Sequence, residues 1–190
     1  MQIIMRIKKT MNKLKLYLNR IYRLSFNLQK QEEIVWSDLK KLHELAQWKH
    51  YVYEKDKYIE TILEINDGKA GRFYYYVEDS RFHCSVKILE DYPIELTTDL
   101  FILAAHFNNL LNNGVVRVNV KDSSIAYHLN RDLLIPLLYI GETHSQIESH
   151  FYTAKDIYSA FQRLIIEQEF PAIIIADLLK KNERAGENAE

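Results

Sequence analysis

From Ile59 onward the apolar residues leave helical spacing for alternation, and that switch limits what the chain can build more than any other feature. Ile59, Thr61, Leu63 and Ile65 fall on one side, with Glu60, Glu64 and Asn66 on the other. Successive strand side chains point to opposite faces, so this pattern predicts a half-buried strand. Asn66-Asp67-Gly68 and Gly71 supply turn chemistry before Arg72 to Val77, and Glu78-Asp79-Ser80 turns the chain into Phe82 to Leu89, where Phe82, Cys84, Val86 and Ile88 alternate. Consecutive antiparallel strands follow from short polar turns of this kind. A second hairpin is written by Val116, Val118 and Val120, the turn Lys121-Asp122-Ser123, and Ile125, Tyr127 and Leu129. Leu133 to Ile140 is a further strand candidate.

Helical spacing frames these strands. Ile7, Met11, Leu14, Leu18 and Ile21, continuing to Leu28, draw one apolar stripe with lysines around the rest, a basic amphipathic helix over residues 1–31. Ser37 with Asp38 behind it suits a helix start, with Leu39, Leu42, Leu45 and Ala46 turned inward and an end near His50. After Pro93, Thr97 or Thr98 can cap a helix carrying Leu100, Leu103, Ala104, Phe107, Leu110 and Leu111, stopped by Asn112-Asn113-Gly114. Thr153 and Asp156 resemble a capping box ahead of Ile157, Tyr158, Phe161, Leu164 and Ile165, which run to Pro171. A short last helix holds Ile174, Ile175, Leu178 and Leu179. The expected fold class is therefore α+β: an antiparallel sheet with a central helix and C-terminal helices packed on it, residues 32–180, plus the N-terminal helix and a disordered polar tail at 181–190.

Charge divides the chain in the same place. Residues 1–31 hold eight of the 25 Lys and Arg and no acid, which leaves 17 basic against 26 acidic residues beyond, a balance of −9. Such a contrast suits a tail that engages something anionic, and equally a helix that packs on its own acidic body or on a partner subunit. Packing is the favoured reading, because so long an apolar stripe has to be covered. Met5 and Met11 are alternative starts that would shorten it. The longest apolar run, Leu133 to Ile140, is interrupted by Pro136 and is far short of the roughly 18–20 residues that cross a bilayer. Lysines interrupt the N-terminal apolar residues, so no signal-peptide core is expected there. Cys84 is the single cysteine, which excludes an internal disulfide and a multi-cysteine zinc site and suits a reducing cytoplasm.

Three segments carry a resemblance. Arg81-Phe82-His83-Cys84-Ser85-Val86, the helix end Ala104-Ala105-His106-Phe107-Asn108-Asn109-Leu110-Leu111-Asn112-Asn113-Gly114, and Ser124-Ile125-Ala126-Tyr127-His128-Leu129 resemble the YbjN family of bacterial domains, over about residues 55–180. The resemblance implies the type III secretion chaperone-like fold and a non-enzymatic protein that binds other proteins, often as a dimer. It supplies no catalytic residues. Dedicated secretion chaperones of this fold are shorter and markedly acidic, whereas only the body is acidic here, so a general adaptor or regulator is the better match.

Motifs for chemistry are scarce. Five glycines, at 68, 71, 114, 141 and 186, cannot write a phosphate-binding loop or a dinucleotide fingerprint. His144 and His150, with Glu142 and Glu148, match no standard metal-ligand spacing and read as an exposed polar loop. Cys84 shares a strand face with Phe82 and Val86, and its neighbour His83 faces the other way, so it reads as a buried structural thiol rather than a nucleophile. No catalytic residue, cofactor site or metal site is expected. In Phe73-Tyr74-Tyr75-Tyr76 one alternation, Phe73 and Tyr75, belongs to the core; Tyr74 and Tyr76 are left for a partner, a nucleic-acid platform or cross-strand packing. The candidate partner-binding residues are thus Lys8, Lys9, Lys13, Lys15, Arg20 and Arg23 on the helix, and Tyr74 and Tyr76 on the sheet. The functional expectation is a cytoplasmic, homodimeric protein-binding adaptor. The alternatives are a nucleic-acid-associated regulator acting through the basic helix, which the acidic body disfavours, and an enzyme without a recognisable motif.

Overall fold

A computed structural model describes residues 14–66 and 68–187, the last seven by backbone only. Helix α1 covers 14–24, followed by α2 (Leu28–Leu45), β1 (His50–Tyr53), β2 (Tyr58–Asn66), β3 (Lys69–Glu78), β4 (Arg81–Leu89), a 3-10 turn (Ile94–Leu96), α3 (Thr97–Leu110), β5 (Val115–Asn119), β6 (Ser124–Asp132), α4 (Leu134–Leu138), α5 (Ile140–Ile165) and α6 (Pro171–Glu187). The six strands form one sheet in the order β1-β2-β3-β4-β6-β5, with every neighbouring pair antiparallel.

The alternation read in the sequence sets which face is covered. Ile59, Thr61, Ile65, Phe73, Tyr75, Phe82, Cys84, Val86, Ile88, Val116, Ile125, Tyr127 and Leu129 lie buried beneath the helices. Against them come Val35, Trp36 and Leu39 from α2, Leu100, Leu103, Ala104 and Phe107 from α3, and Ile147, Ala154, Ile157 and Phe161 from α5. Asn108 of α3 fastens the edge strand β5, its side-chain amide donating to the Val116 carbonyl at 3.1 Å and its oxygen accepting from the Val116 N–H at 2.7 Å. Arg163 ties α5 to α6 through Glu169 at 2.6 Å and Asp177 at 2.8 Å.

Several expectations change. The N-terminal helix breaks at 25–27, and Asn27 caps a new helix by accepting from the Lys30 N–H at 3.0 Å. Helix α2 therefore starts at Leu28 and passes through residue 31, and Ser37 sits inside it rather than at its start. Leu133 to Ile140 is not a strand: Pro136 lacks the N–H a ladder needs, Asp132 Oδ1 accepts from the Leu134 N–H at 2.8 Å, and the helix α4 results. The stretch from His144 to His150 is not a loop, because α5 begins at Ile140, ahead of Thr153. Strand β1 was not anticipated. The α6 backbone continues into the polar tail as far as Glu187.

Candidate interaction face

On β3 the residues facing the helices, Gly71, Phe73 and Tyr75, are buried, so Arg72, Tyr74, Tyr76 and Glu78 must emerge on the other face of the sheet. Strand register carries that face across the molecule. Tyr53 pairs with Tyr58, Tyr58 with Tyr76, Tyr76 with His83, and His83 with Asn130. The next row is Tyr51, Glu60, Tyr74, Ser85 and His128. Helices of the described residues are gathered on the opposite side, and Tyr74, Tyr76, His83 and Ser85 are half-buried while Tyr51 and Tyr53 are exposed.

The rings hold one another. Tyr53 and Tyr58 stack with centroids 4.3 Å apart, Tyr58 meets Tyr74 edge-on at 5.9 Å, and Tyr76 stacks on His83 at 4.6 Å with the planes 5° apart. Offset and edge-on pairs of this kind suit the ring quadrupoles and fix side chains that would otherwise be mobile. His83 Nδ1 is 2.9 Å from Asn130 Oδ1, and Ser85 shares a 3.0 Å hydrogen bond with His128 Nδ1. Burial, helped by Arg117 and His83, lowers the His128 pKa and keeps its ring neutral. Asp56, Tyr58, Tyr74, Tyr76, Glu78 and Ser85 enclose a shallow depression of about 390 Å³. Its rim bears two carboxylates and no cation, so it favours groups rich in N–H donors over phosphates.

Glu60 is the buried anion of this face, 6% exposed. The Tyr53 hydroxyl donates to it at 3.0 Å and Arg72 lies 3.3 Å away. The same hydrogen bond raises the Tyr53 pKa, since an ionised phenol would face the carboxylate. Tyr53→Phe is expected to lower the denaturation midpoint, because a hydrogen bond to the buried Glu60 carboxylate is lost while the carboxylate stays. Urea denaturation measures it, and an unchanged midpoint would show that water replaces the hydroxyl without loss.

The helix residues are placed differently. Lys8, Lys9 and Lys13 lie outside the described residues, and Lys15 is exposed. Arg20 donates to the Leu138 carbonyl at 3.2 Å with its guanidinium 4.2 Å from the centre of the Tyr139 ring; Arg23 reaches Asp38 at 2.5 Å and the Leu137 carbonyl at 3.0 Å. Both therefore satisfy carbonyls at the C-terminal end of α4, where intrahelical donors run out. The body does not cover the apolar stripe: Leu14, Leu18 and Ile21 remain 57%, 56% and 48% exposed. Sequence reasoning missed Tyr51, Tyr53 and Tyr58, whose partnership with Tyr74 and Tyr76 depends on register rather than on local pattern.

Other features read from the sequence also find their places. Cys84 is buried, and burial raises its thiol pKa well above the usual value, so it is held as the thiol. His144 lies 3.6 Å from Glu148 one turn on, and His150 points into the core. Among the described residues no three His, Cys, Asp or Glu are grouped to hold a metal ion, and no helix is long and apolar enough to cross a membrane.

Fold and face together define an α+β protein whose single antiparallel sheet is covered by helices on one side and presents an aromatic surface on the other. No family model and no curated protein matches the sequence. Among solved structures the crystal structure of YbjN, a proposed transcription regulator from E. coli, is similar, with 9% identity over 68% of this chain and 91% of that one and a TM-score of 0.37. The likeness concerns the fold alone.

Proposed function

We propose that this chain is a non-enzymatic protein-binding module, an adaptor or chaperone-like protein of the cytoplasm, that receives a segment of a partner protein on its tyrosine face and works as a homodimer. The observation that supports this most is the row Tyr53, Tyr58, Tyr76 and His83, aligned by register, with Tyr74 beside it. Tyrosines are enriched where proteins meet, since each offers a rigid apolar ring and a hydroxyl at little entropic cost. Asp56 and Glu78 at the depression direct the choice toward a partner segment with basic or N–H-rich side chains. The uncovered stripe of α1 is the natural place for the second subunit. Arg20 and Arg23, occupied by Asp38 and by backbone carbonyls, are poorly free for phosphates, which weighs against the nucleic-acid alternative.

A photo-crosslinking amino acid in place of Tyr74 tests the face in the native cell. A discrete protein adduct is expected, lost when Tyr58 and Tyr76 are changed to serine in the same chain while circular dichroism stays unaltered. Diffuse adducts, or one indifferent to those changes, would remove the face from the proposal. Light scattering of the purified protein is expected to give twice the monomer mass, and a monomer at every concentration would refute the homodimer.

A further inference from the structure

A second concavity lies on the covered side of the sheet, between α5, β6 and the turn after α3. Strand alternation brings Tyr127, Leu129 and Arg131 to one side of β6, and helical spacing brings Gln146, Ser149, His150 and Thr153 to one face of α5. The cavity between them measures about 300 Å³. Three of its polar side chains lack partners for buried atoms: Arg131 at Nε, Gln146 at Oε1, and His150 at both ring nitrogens. His150 is only 1% exposed, and the nearby Tyr127 backbone offers its ring no hydrogen bond of good geometry. Buried polar groups are ordinarily satisfied, so three orphans converging on one space need an occupant that supplies both donors and acceptors.

The charge identifies its class. Arg131 donates to the neutral Asn113 Oδ1, and no carboxylate lines the cavity, so a guanidinium faces it without an acid among the lining groups. Water can satisfy a hydrogen bond but brings no negative charge. The donor side of the occupant is set by Gln146, whose Oε1 accepts. Leu110, Leu111 and Leu129 add an apolar wall. At about 30 Å³ per water-sized unit the volume accommodates roughly ten non-hydrogen atoms.

We propose that this cavity binds a small organic carboxylate that carries a hydrogen-bond donor a few atoms from its acid group, with the carboxylate on Arg131 and the donor on Gln146. His150 closes the inner wall and contributes one N–H and one acceptor as a neutral imidazole. The site is separate from the tyrosine face, being on the other side of the sheet, and does not depend on the function proposed for that face.

N-acetylglycine, which has the acid, an amide N–H and the right size, is the probe, with its methyl ester as the control lacking the charge. Isothermal calorimetry on the full chain is expected to show saturable binding of N-acetylglycine and none of the ester. Arg131→Met is expected to abolish binding, and Gln146→Leu to weaken it about tenfold, the usual consequence of one lost hydrogen bond in a buried site. Because Arg131→Met also removes a contact to Asn113, nuclear magnetic resonance of the unaltered protein provides a second reading: the Gln146 side-chain amide and the His150 ring signals are expected to shift with N-acetylglycine and not with its ester. Equal response to acid and ester, or no saturable response up to the solubility limit, means a cavity filled by water and overturns the proposal.

Discussion

Lowering the pH from about 6.5 to 5 is expected to remove roughly 3 kcal/mol of folding stability through His43 and His150, in about equal parts. Both rings are buried, at 0% and 1% exposure. His43 of α2 donates from Nδ1 to the Leu39 carbonyl at 2.8 Å, leaves Nε2 without a partner, and is hemmed in by Trp48, His50 and Tyr75. His150 of α5 lies on the Tyr127 ring at 4.7 Å with Phe73 edge-on at 5.7 Å. Burial above all pushes their pKa values down, to about 4 for His43 and about 3 for His150; the hydrogen bond to the Leu39 carbonyl opposes it in part for His43 and the poorly aligned Tyr127 backbone more weakly for His150, and His50 and His128 add to it. An unfolded histidine titrates near 6.5, so below that pH the unfolded chain takes up protons that these two rings refuse, and His128, lowered by its own burial, adds in the same direction. Stability falls by about 1.4 kcal/mol per pH unit for each ring, and the fall ends only where the folded rings themselves protonate. Glu33 and Glu54, lowered by their hydrogen bonds to Lys30 and Lys40, titrate below this window. Urea denaturation across the range provides the measurement. His43→Gln and His150→Gln are each expected to remove about half of the slope while changing the stability at neutral pH by their own amounts. A slope untouched by both substitutions would show that these rings protonate without unfolding.

The same two histidines show where sequence pattern stops being readable. The sheet was legible because one side of every long strand is apolar: Ile59 to Ile65, Phe82 to Ile88 and Ile125 to Leu129 alternate, and the buried face follows them. Helix α5 was legible only from Thr153 on, although its buried positions Thr143, Ile147, His150, Ala154 and Ile157 keep regular four and three spacing. Two of the first three are polar, so a search for apolar residues finds no stripe and reads a loop. In α2 the buried face is Val35, Trp36, Leu39 and His43, while Ser37 and Asp38 sit within the helix and imitate its start. Strand β1 has four residues with exposed Tyr51, Val52 and Tyr53, too short and too open for alternation to register. Of the tyrosine face, Tyr74 and Tyr76 were visible because their own strand separates them from Phe73 and Tyr75; the other rings join them only through pairing with β1, β2 and β4. The cavity at Arg131 and Gln146 joins a strand to a helix across the core, and no local pattern in either reports it.

Gly114→Ala is expected to destabilise the fold by roughly 2–5 kcal/mol, whereas Gly68→Ala is expected to cost only about 1–2 kcal/mol, although both glycines have a positive φ, +93° and +77°. A left-handed backbone charges a non-glycine residue about 1–2 kcal/mol in either place. The difference is space. A Cβ on Gly68 meets nothing within 4 Å, but on Gly114 it lies 2.7 Å from the His128 carbonyl oxygen, 2.7 Å from Tyr127 Cε2 and 2.9 Å from the Tyr127 hydroxyl. None of these can yield freely. The carbonyl belongs to β6 where Val115 pairs with His128, and the Tyr127 ring is stacked on buried His150 with its hydroxyl donating to the Asn113 carbonyl at 3.3 Å. Moving the ring disturbs the wall of the cavity; moving the strand disturbs the β5–β6 ladder. Forcing a methyl group into such packing typically adds about 1–3 kcal/mol. Guanidinium denaturation of the two variants side by side separates the contributions, since Gly68→Ala reports the backbone strain alone. If both lose the same amount, the turn after α3 has enough freedom to swing away, and Asn113 is then not a fixed anchor for Arg131 and Tyr127. A larger loss for Gly114→Ala, accompanied by a shifted His150 ring resonance in the folded fraction, is the result expected if that turn sets the position of the cavity wall.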